Sequence, residues 1–125
     1  MREIIKRHIL EHQEVLNSID LLSPAIEKIA LLMIDALKKG KAIFWCGNGG
    51  SASDAQHLAA ELVGRYVDDR RPLKSMTLNA DSAVMTCITN DFGYEHLFSR
   101  QVEGLGTEGD ILVGITTSGN SQNVL

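Results

Sequence analysis

The first third of the chain has the hydrophobic pattern of two consecutive helices. Apolar residues recur at spacings of three and four over residues 2–20 and again over residues 24–38. Ser23–Pro24 is a typical helix start, and Gly40 follows the second helix where a C-terminal glycine is expected. No strand precedes these helices, so we expect them to pack on the flank of a domain or, preferably, on another subunit. The pattern therefore predicts an N-terminal oligomerisation segment over residues 1–39.

The remainder of the chain, residues 40–125, alternates between strand and helix patterns. Five consecutive apolar residues at 42–46 predict a strand buried on both faces, as in a parallel sheet. The other predicted elements are strands at 74–78 and 111–115, helices at 52–66, 83–88 and 94–105, a helix cap at Asp81–Ser82 and a loop at 89–93. Strands that alternate with helices indicate an α/β fold.

Residues 42–51, Ala-Ile-Phe-Trp-Cys-Gly-Asn-Gly-Gly-Ser, predict a strand, a glycine-rich turn and the start of a helix. The glycines allow the backbone to approach a ligand closely, and Ser51 is the expected N-cap. Free N–H groups and the positive end of the helix dipole favour an anion there, with phosphate as the leading candidate. The spacing fits neither a dinucleotide-binding fingerprint nor a Walker A loop. A tight turn without a ligand is the alternative.

The helix predicted after this turn separates its residue types by face. A helical wheel places Ala52, Ala55, Ala59, Leu62, Val63 and Tyr66 towards the sheet, and Asp54, His57, Glu61 and Arg65 on the opposite side. His57 and Glu61 are four residues apart, so their side chains can meet. Such a pair can supply two metal ligands or an acid and a base. The alternative is a solvated face with i,i+4 salt links.

The turn after the third predicted strand, Thr116-Thr117-Ser118-Gly119-Asn120-Ser121, repeats the arrangement of strand, polar turn and helix start. Its hydroxyl groups can donate to phosphate oxygens without a lysine. Because the carboxyl ends of parallel strands share one edge of the sheet, we expect this turn to form a ligand crevice with the glycine-rich turn.

Composition narrows the range of partners. A net charge of −4 argues against general nucleic-acid binding, and no apolar run approaches the roughly 20 residues of a membrane span. The N-terminus lacks the apolar region of a signal peptide, so we expect a cytoplasmic protein. Cys46 and Cys87 are expected to be reduced core thiols, because neither belongs to a C-x-x-C pair.

Five motifs occur together and in order: Cys46-Gly-Asn-Gly-Gly-Ser51, His57-x-x-x-Glu61-Leu-x-Gly-Arg-Tyr66, Asn90-Asp-Phe-Gly93, Phe98-Ser-Arg-Gln-Val102 and Thr117-Ser-Gly-Asn-Ser121. In this combination the chain resembles the phosphoheptose isomerases of the sugar isomerase (SIS) domain family. The resemblance covers nearly the whole chain and is strongest from Gly40 onward. It implies a three-layer α/β/α sandwich with a parallel, nucleotide-binding-like sheet and N-terminal helices that pack between the subunits of a homotetramer.

The resemblance also implies an activity and a set of site residues. The activity is aldose–ketose isomerisation of sedoheptulose 7-phosphate through an enediol(ate), in heptose synthesis for lipopolysaccharide. His57 and Glu61 match the family's Zn²⁺ ligands, and Glu61 is the implied base. The substrate contacts expected in this chain are Asn48, Gly49, Gly50, Ser51, Glu61, Arg65, Asn90, Asp91, Thr116, Thr117, Ser118 and Ser121. Thr116 stands where the family often has serine, which keeps the hydroxyl.

The family's remaining metal ligand and acid/base positions, a Gln and a His, are expected beyond Leu125. We therefore expect a C-terminally truncated SIS domain that is itself inactive. Two alternatives share the fold: a non-catalytic tetrameric adaptor that binds the replication initiator protein, and a sugar-phosphate-sensing module. Glu61, followed by Gly64-Arg65-Tyr66, favours the isomerase, because the adaptors lose this glutamate.

Overall fold

The computed structural model describes all 125 residues, in two units, Met1–Ile34 and Asp35–Leu125. The first unit contains α1 (Arg2–Ser18), a 3₁₀ turn (Ile19–Leu22) and most of α2 (Ser23–Lys38). The restart of the helix at Ser23 is confirmed, and the chain remains helical up to it. None of the residues in this unit is buried. Its large apolar side chains are about half exposed, as at Ile5 (52%), Ile9 (54%) and Leu10 (50%).

The second unit begins at Asp35, in the last turn of α2, which ends at Lys38. Gly40 has a φ of +75°, Lys41 N–H donates to Ala36 O (2.9 Å), and Gly40 N–H donates to Leu37 O (3.1 Å). These two bonds form a Schellman motif, which satisfies carbonyls that the end of a helix would otherwise leave unpaired. Gly40 therefore ends the helix as predicted, and after Lys41 and Ala42 the chain enters the first strand.

The elements of the second unit follow in order: β1 (Ile43–Gly47), α3 (Gly50–Val63), β2 (Ser75–Thr77), α4 (Ser82–Phe92), a 3₁₀ turn (Tyr94–His96), α5 (Leu97–Leu105) and β3 (Ile111–Ile115). The three strands form one parallel sheet in the order β2-β1-β3. Ile43 at the start of β1 lies opposite Ser75 on one side and Ile111 on the other. All three predicted strands are therefore confirmed: the end points of the first two shift by one residue, and those of the third agree with the prediction.

Helices cover both faces of the central strand. Phe44 and Cys46 point to one face and pack in a buried cluster with Ile88 of α4 and Leu97 and Phe98 of α5. Residues alternate between faces along a strand, so Ile43, Trp45 and Gly47 point to the other face. Gly47 there lies directly against Ser51 of α3. The predicted α/β/α sandwich with a parallel sheet is confirmed.

The start of α3 differs from the prediction. The helix begins at Gly50 with Gly49 as its N-cap, and no side chain caps it, so the prediction that Ser51 is the N-cap is wrong. Gly49 has φ +56° and ψ −121°, a conformation that residues with a Cβ adopt at a cost. The chain therefore turns into the helix at the glycines, and Ser51, which is 9% exposed, lies inside the first turn.

The end of α3 also differs. The helix ends at Val63 with Gly64 as its C-cap, so the predicted continuation to Tyr66 is wrong. The guanidinium of Arg70 donates to the carbonyls of Glu61 (2.7 Å) and Leu62 (2.9 Å), which lie in the last turn. A cation on these carbonyls complements the negative end of the helix dipole. Val63 (47% exposed) and Tyr66 (79% exposed) consequently do not face the sheet.

Residues 89–92, predicted as loop, form the last turn of α4. The carboxylate of Asp81 accepts from the N–H groups of Ala83 and Val84, as predicted for a cap, and Gly93 with φ +95° ends the helix. Ile88 is buried in the core, so packing outweighs the turn preference of Asn90 and Asp91.

The two cysteines occupy different environments. Cys46 is buried as predicted, and burial raises the pKa of its thiol to about 11, so it is neutral. Cys87 is exposed on α4, so the prediction of a second core thiol is wrong. The two thiols are not joined in a disulfide.

The carboxylate of Asp110 connects the starts of β1 and β3. Its Oδ1 accepts from Ala42 N–H (2.7 Å), and its Oδ2 accepts from the N–H (2.8 Å) and hydroxyl (2.9 Å) of Thr107. The backbone bond from Ala42, followed by that from Thr107, lowers the pKa of Asp110 from its ordinary value of 3.8 to about 2. Because the ionised form is the one stabilised, its contribution to folding is present above pH 4 and is lost as the pH falls towards 2.

We expect Asp110→Asn to lower the free energy of unfolding at pH 7, and the difference from the natural protein to shrink between pH 4 and pH 2. Urea unfolding at pH 7, 4 and 2.5 measures this. Glu108→Gln is the matched control, because this exposed carboxylate lies in the same turn and makes no hydrogen bond or ion pair. A difference for Asp110→Asn that stays constant over this range would contradict the assigned cause.

Candidate functional site

The site lies where two connections leave the sheet on opposite faces. β1 is the central strand; α3 leads from it to β2 across one face, and α4 and α5 lead from β2 to β3 across the other. The turns after β1 and β3 therefore lie side by side at the carboxyl edge. Ligands of open α/β sheets bind at such a switch point, so the predicted crevice between the two turns is present.

The glycine-rich turn, Gly47–Gly50, carries free backbone donors. Ser51 N–H donates to Asn48 O (3.0 Å) and Ala52 N–H donates to Gly49 O (3.1 Å), while the N–H groups of Gly49 and Gly50 donate to no protein acceptor. Gly49 and Gly50 are exposed, and a Cβ at either position would meet no atom within 4 Å. Two free donors at the positive end of α3 can bind an anionic or hydroxyl oxygen.

Asn79, which the sequence analysis did not name, holds the end of β1. Its side-chain Oδ1 accepts from Gly47 N–H (3.1 Å), and its Nδ2 donates to Gly47 O (2.9 Å). The amide therefore replaces the next backbone pair of the β1–β2 ladder, just after β2 ends. Asn79 is 9% exposed. An asparagine directly after a short strand is the only signal in the sequence, and it also marks ordinary turns.

The hydroxyl-rich turn, Thr116–Ser121, converges on the hydroxyl of Thr116. Thr116 Oγ1 lies 3.3 Å from Ser118 Oγ and 3.2 Å from Ser121 Oγ, and it accepts from Gly119 N–H (3.2 Å). Thr117 is exposed and makes no hydrogen bond through its side chain. Three clustered hydroxyls and one free hydroxyl suit the oxygens of a phosphate. The predicted residues of this turn are therefore brought together.

A single hydrogen-bonded turn follows Ser121. Leu125 N–H donates to Ser121 O (3.1 Å) and Val124 N–H donates to the same oxygen (2.9 Å). These residues form a turn and not a helix, so the predicted helix start is present only as this one turn.

The two turns are joined by side chains. Asn48 and Asn123 exchange two amide hydrogen bonds of 2.8 Å, and the hydroxyl of Tyr94 donates to Asn48 Oδ1 (2.7 Å). Tyr94 follows α4 directly, so the last turn of α4, with Asn90 and Asp91, lies near the same edge of the sheet. Asn90 Nδ2 donates to Asp91 Oδ1 (2.7 Å), and both residues are exposed.

His57 and Glu61 meet as their spacing predicts. His57 Nε2 lies 3.1 Å from Glu61 Oε1, with side-chain exposures of 73% and 29%. At 1.5 Å per residue, His57 lies about 10 Å and Glu61 about 16 Å along the axis of α3 from Gly50. No hydrogen bond or ion pair joins this pair to either turn. The structure thus confirms the pair but places it along the helix from the crevice.

Besides Glu61, Asn90 and Asp91, two further predicted substrate contacts lie outside the two turns. Arg65 follows the end of α3, is exposed, and makes no hydrogen bond or ion pair with protein atoms. Ser51 is largely buried in the first turn of α3, beside the free N–H groups of the glycines. The structure therefore gives Ser51 a structural position and leaves the guanidinium of Arg65 available to a ligand.

The donor set was compared with the needs of a metal ion. The imidazole of His57 and the carboxylate of Glu61 are both groups that bind Zn²⁺. The chain nevertheless contains no group of three or more His, Cys, Asp or Glu side chains placed to hold a metal. Catalytic zinc sites have three protein ligands, so these two residues alone do not form one.

A groove of the second unit lies elsewhere. It has a volume of about 600 Å³ between α4 and α5, beside the exposed Met76 of β2. Phe92 and Arg100 line it, with the guanidinium carbon 3.6 Å from the centre of the Phe92 ring. None of the predicted site residues lines this groove, and its walls are mainly apolar. The crevice with the polar donors remains the better candidate for a phosphorylated ligand.

Comparison with known proteins agrees with this fold. A family model described as "SIS domain" matches residues 8–125. The phosphoheptose isomerase of Helicobacter pylori is 51% identical over 123 residues, which are 98% of this chain and 64% of that protein. Phosphoheptose isomerase 1 of Campylobacter jejuni is 48% identical over 125 residues, 100% of this chain and 67% of that protein.

Solved structures give the same result. The chain superposes on the phosphoheptose isomerase of Neisseria gonorrhoeae with a TM-score of 0.88 and 42% identity, over 98% of this chain and 64% of that one. For the phosphoheptose isomerase of Francisella tularensis the TM-score is 0.90 and the identity 36%, with the same coverage.

The chain belongs to the SIS domain family, and within it to the group of the phosphoheptose isomerases. It spans about two thirds of the length of these relatives. None of its helices combines the length and the hydropathy that a membrane span requires.

Proposed function

We propose that the protein is an aldose–ketose isomerase that converts sedoheptulose 7-phosphate into D-glycero-D-manno-heptose 7-phosphate, a precursor for lipopolysaccharide. The observation that carries the proposal is Glu61, a carboxylate held 3.1 Å from His57 Nε2 and only 29% exposed. This isomerisation requires a group that takes a proton from one carbon and gives a proton to the next. Relatives that are about half identical along the whole chain are phosphoheptose isomerases, which supports the same substrate.

The reaction moves a carbonyl group from C2 to C1 without net oxidation. Glu61 removes a proton from C1 of the ketose, the electrons form the C1–C2 double bond of an enediol(ate), and the carbonyl oxygen at C2 takes up a proton. The carboxylic acid then returns its proton to C2, while the hydroxyl at C1 loses a proton and becomes the aldehyde oxygen. Every atom and electron is conserved, and the carboxylate is regenerated.

The phosphate of the substrate is assigned to the hydroxyl-rich turn. The hydroxyls of Ser118 and Ser121 lie 3.3 Å and 3.2 Å from that of Thr116, and Thr117 adds an exposed fourth. The free N–H groups of Gly49 and Gly50, together with Asn48, Asn90 and Asp91, are assigned to the sugar oxygens. Binding energy from the distant phosphate can then orient the reacting carbons. Arg65 adds an exposed cation for a substrate oxygen.

Isomerisation in D₂O tests this proposal. Because this chain spans about two thirds of the length of its relatives, the full-length protein is used. It is incubated with sedoheptulose 7-phosphate in D₂O, and the aldose is followed by proton NMR at its anomeric signal. Deuterium enters C2 of the product to the extent that the Glu61 carboxylic acid exchanges its proton with solvent before it returns one to C2, whereas direct hydride transfer from C1 to C2 incorporates none. Tight binding of the sugar phosphate without turnover would contradict the isomerase and favour the sensing module. Deuterium at C2 would exclude hydride transfer, and turnover at the natural rate in Glu61→Gln would contradict the shuttle.

We also propose that His57 and Glu61 are two of the ligands of a Zn²⁺ ion. Their donor atoms suit zinc, but the ion requires at least one further protein ligand besides this pair. In a metal-bound protein, the ion would withdraw charge from an oxygen of the substrate. Zinc content after equilibrium dialysis is expected to fall at least about tenfold in His57→Ala and to stay unchanged in His12→Ala. Equal zinc content in the two variants would contradict the assignment.

A homotetramer in the cytoplasm completes the proposal. The half-exposed apolar side chains of residues 1–34 favour association of copies through this unit, because soluble monomers rarely expose so much apolar surface. Both cysteines are unpaired, which suits a reducing compartment. Sedimentation equilibrium measures the number of copies, and a monomer at micromolar concentration would contradict the assembly.

A further inference from the structure

The side chain of Asn48 joins parts of the chain that are far apart in sequence. Its Nδ2 donates to Asn123 Oδ1 (2.8 Å) and its Oδ1 accepts from Asn123 Nδ2 (2.8 Å), across 75 residues. Asn123 is 7% exposed, so this amide pair is largely shielded from water on one side. The pair ties the glycine-rich turn after β1 to the hydrogen-bonded turn that follows Ser121.

Tyr94 adds a third part of the site to this pair. Its hydroxyl donates to Asn48 Oδ1 (2.7 Å) from the 3₁₀ turn that follows Asn90 and Asp91. The three segments assigned to the sugar phosphate therefore converge on one asparagine side chain. Asn123 and Tyr94 are not themselves among the residues assigned to the substrate.

The hydrogen-bonding capacity of Asn48 is almost fully used. A side-chain amide has two N–H donors and an oxygen with two lone pairs. Tyr94 and Asn123 occupy both lone pairs, and Asn123 accepts one of the two N–H groups. One N–H group remains for a ligand. Asn48 can therefore recognise an acceptor oxygen, and it cannot turn its own oxygen towards the ligand without breaking these bonds.

We propose that Asn123 and Tyr94 are positioning residues, which hold Asn48 so that its free N–H group meets an acceptor oxygen of the sugar phosphate. This inference rests on the proposed function. A side chain fixed before binding loses less conformational freedom when the ligand arrives. The same bonds hold the glycine-rich turn and the hydroxyl-rich turn at one separation, so both ends of the substrate find their donors already in place.

A double-mutant cycle on ligand binding tests the inference. Calorimetry gives the Kd for sedoheptulose 7-phosphate in the natural protein, Tyr94→Phe, Asn48→Ala and the double variant. Tyr94→Phe keeps the ring and removes one hydrogen bond, so Kd is expected to rise about three- to tenfold. In the Asn48→Ala background the same change is expected to alter Kd less than about twofold, because its target is gone.

Tyr66→Phe is the matched control, since this tyrosine is 79% exposed and its hydroxyl makes no hydrogen bond. It is expected to leave Kd unchanged. Thermal melts accompany each variant, and Asn48→Ser replaces Asn48→Ala if the latter unfolds below the assay temperature. A purely structural role for Tyr94 would weaken binding equally in both backgrounds.

Asn123→Asp provides a second, independent arm. The carboxylate still accepts from Asn48 Nδ2, but it cannot donate to Asn48 Oδ1 and so loses one of the two bonds. Kd is expected to rise about tenfold with little change in the melting temperature. Two outcomes would overturn the positioning role and leave the proposed function standing. One is additive effects of Tyr94→Phe and Asn48→Ala, and the other is an unchanged Kd in both Tyr94→Phe and Asn123→Asp. Absence of binding in the natural protein would overturn the proposed function and this inference together.

Discussion

In the full-length protein, Glu61→Gln is expected to lower kcat for isomerisation by about 10²- to 10⁴-fold, the usual contribution of a positioned acid or base. The amide keeps the size of the side chain and a hydrogen-bonding oxygen towards His57, but it cannot take a proton from C1. The hydroxyl-rich turn, to which the phosphate is assigned, is on a different segment and forms no hydrogen bond or ion pair with Glu61. The Kd for sedoheptulose 7-phosphate is therefore expected to change by less than about threefold.

Asp54→Asn is the matched control for this change. Asp54 lies on the same ionisable side of α3, is exposed, and forms no hydrogen bond or ion pair. It is expected to leave kcat and Kd unchanged. If loss of a negative charge from the helix were itself enough to lower kcat, Asp54→Asn would lower kcat as well. Turnover near the natural rate in Glu61→Gln would remove the glutamate from the mechanism.

Gly47→Ala is expected to destabilise the fold by about 3 kcal/mol, the upper range for overpacking a buried position. A Cβ at Gly47 would lie 2.7 Å from Ser51 O and 2.8 Å from Ser51 Cβ. The backbone cannot move away easily, because Asn79 binds both the N–H and the carbonyl of Gly47. Chemical unfolding of the variant measures the change, and the slope with denaturant shows whether unfolding remains two-state.

Gly104→Ala is the contrasting control. Gly104 lies inside α5, where a Cβ would meet no atom within 4 Å and φ is not positive. Alanine is there expected to stabilise by about 0.5–1 kcal/mol, through helix propensity alone. Equal effects of the two substitutions would show that the contact between Gly47 and α3 is not the reason for the glycine.

Much of the second unit was predictable because its signals are local. Apolar runs at 42–46 and 111–115 mark the strands. Asp81 supplies the cap that begins a helix, and Gly40 supplies the turn that ends one. The crevice was predictable for the same reason, since polar turns follow two strands of one parallel sheet. The i,i+4 spacing placed His57 beside Glu61.

The rest depends on contacts between distant segments. The early end of α3 depends on Arg70, whose guanidinium binds the last carbonyls of the helix. Arg70 lies in a charged loop, and the sequence of that loop does not indicate which carbonyls its guanidinium will bind. Asn79 and Asn123 read as turn residues, although their amides hold Gly47 and Asn48. Turn preference placed Asn90 and Asp91 in a loop, while the packing of Ile88 kept them in α4.

The exposed apolar side chains of residues 1–34 have a thermodynamic consequence. If copies bind through them only when folded, mass action adds the free energy of association to that of folding. The melting temperature then rises with protein concentration, and a variant that weakens assembly looks unstable even when its own fold is intact. The free energies of unfolding of Gly47→Ala and Asp110→Asn can therefore be compared only at equal protein concentration. Measuring each variant over a dilution series separates an effect on packing within the fold from an effect on association between copies.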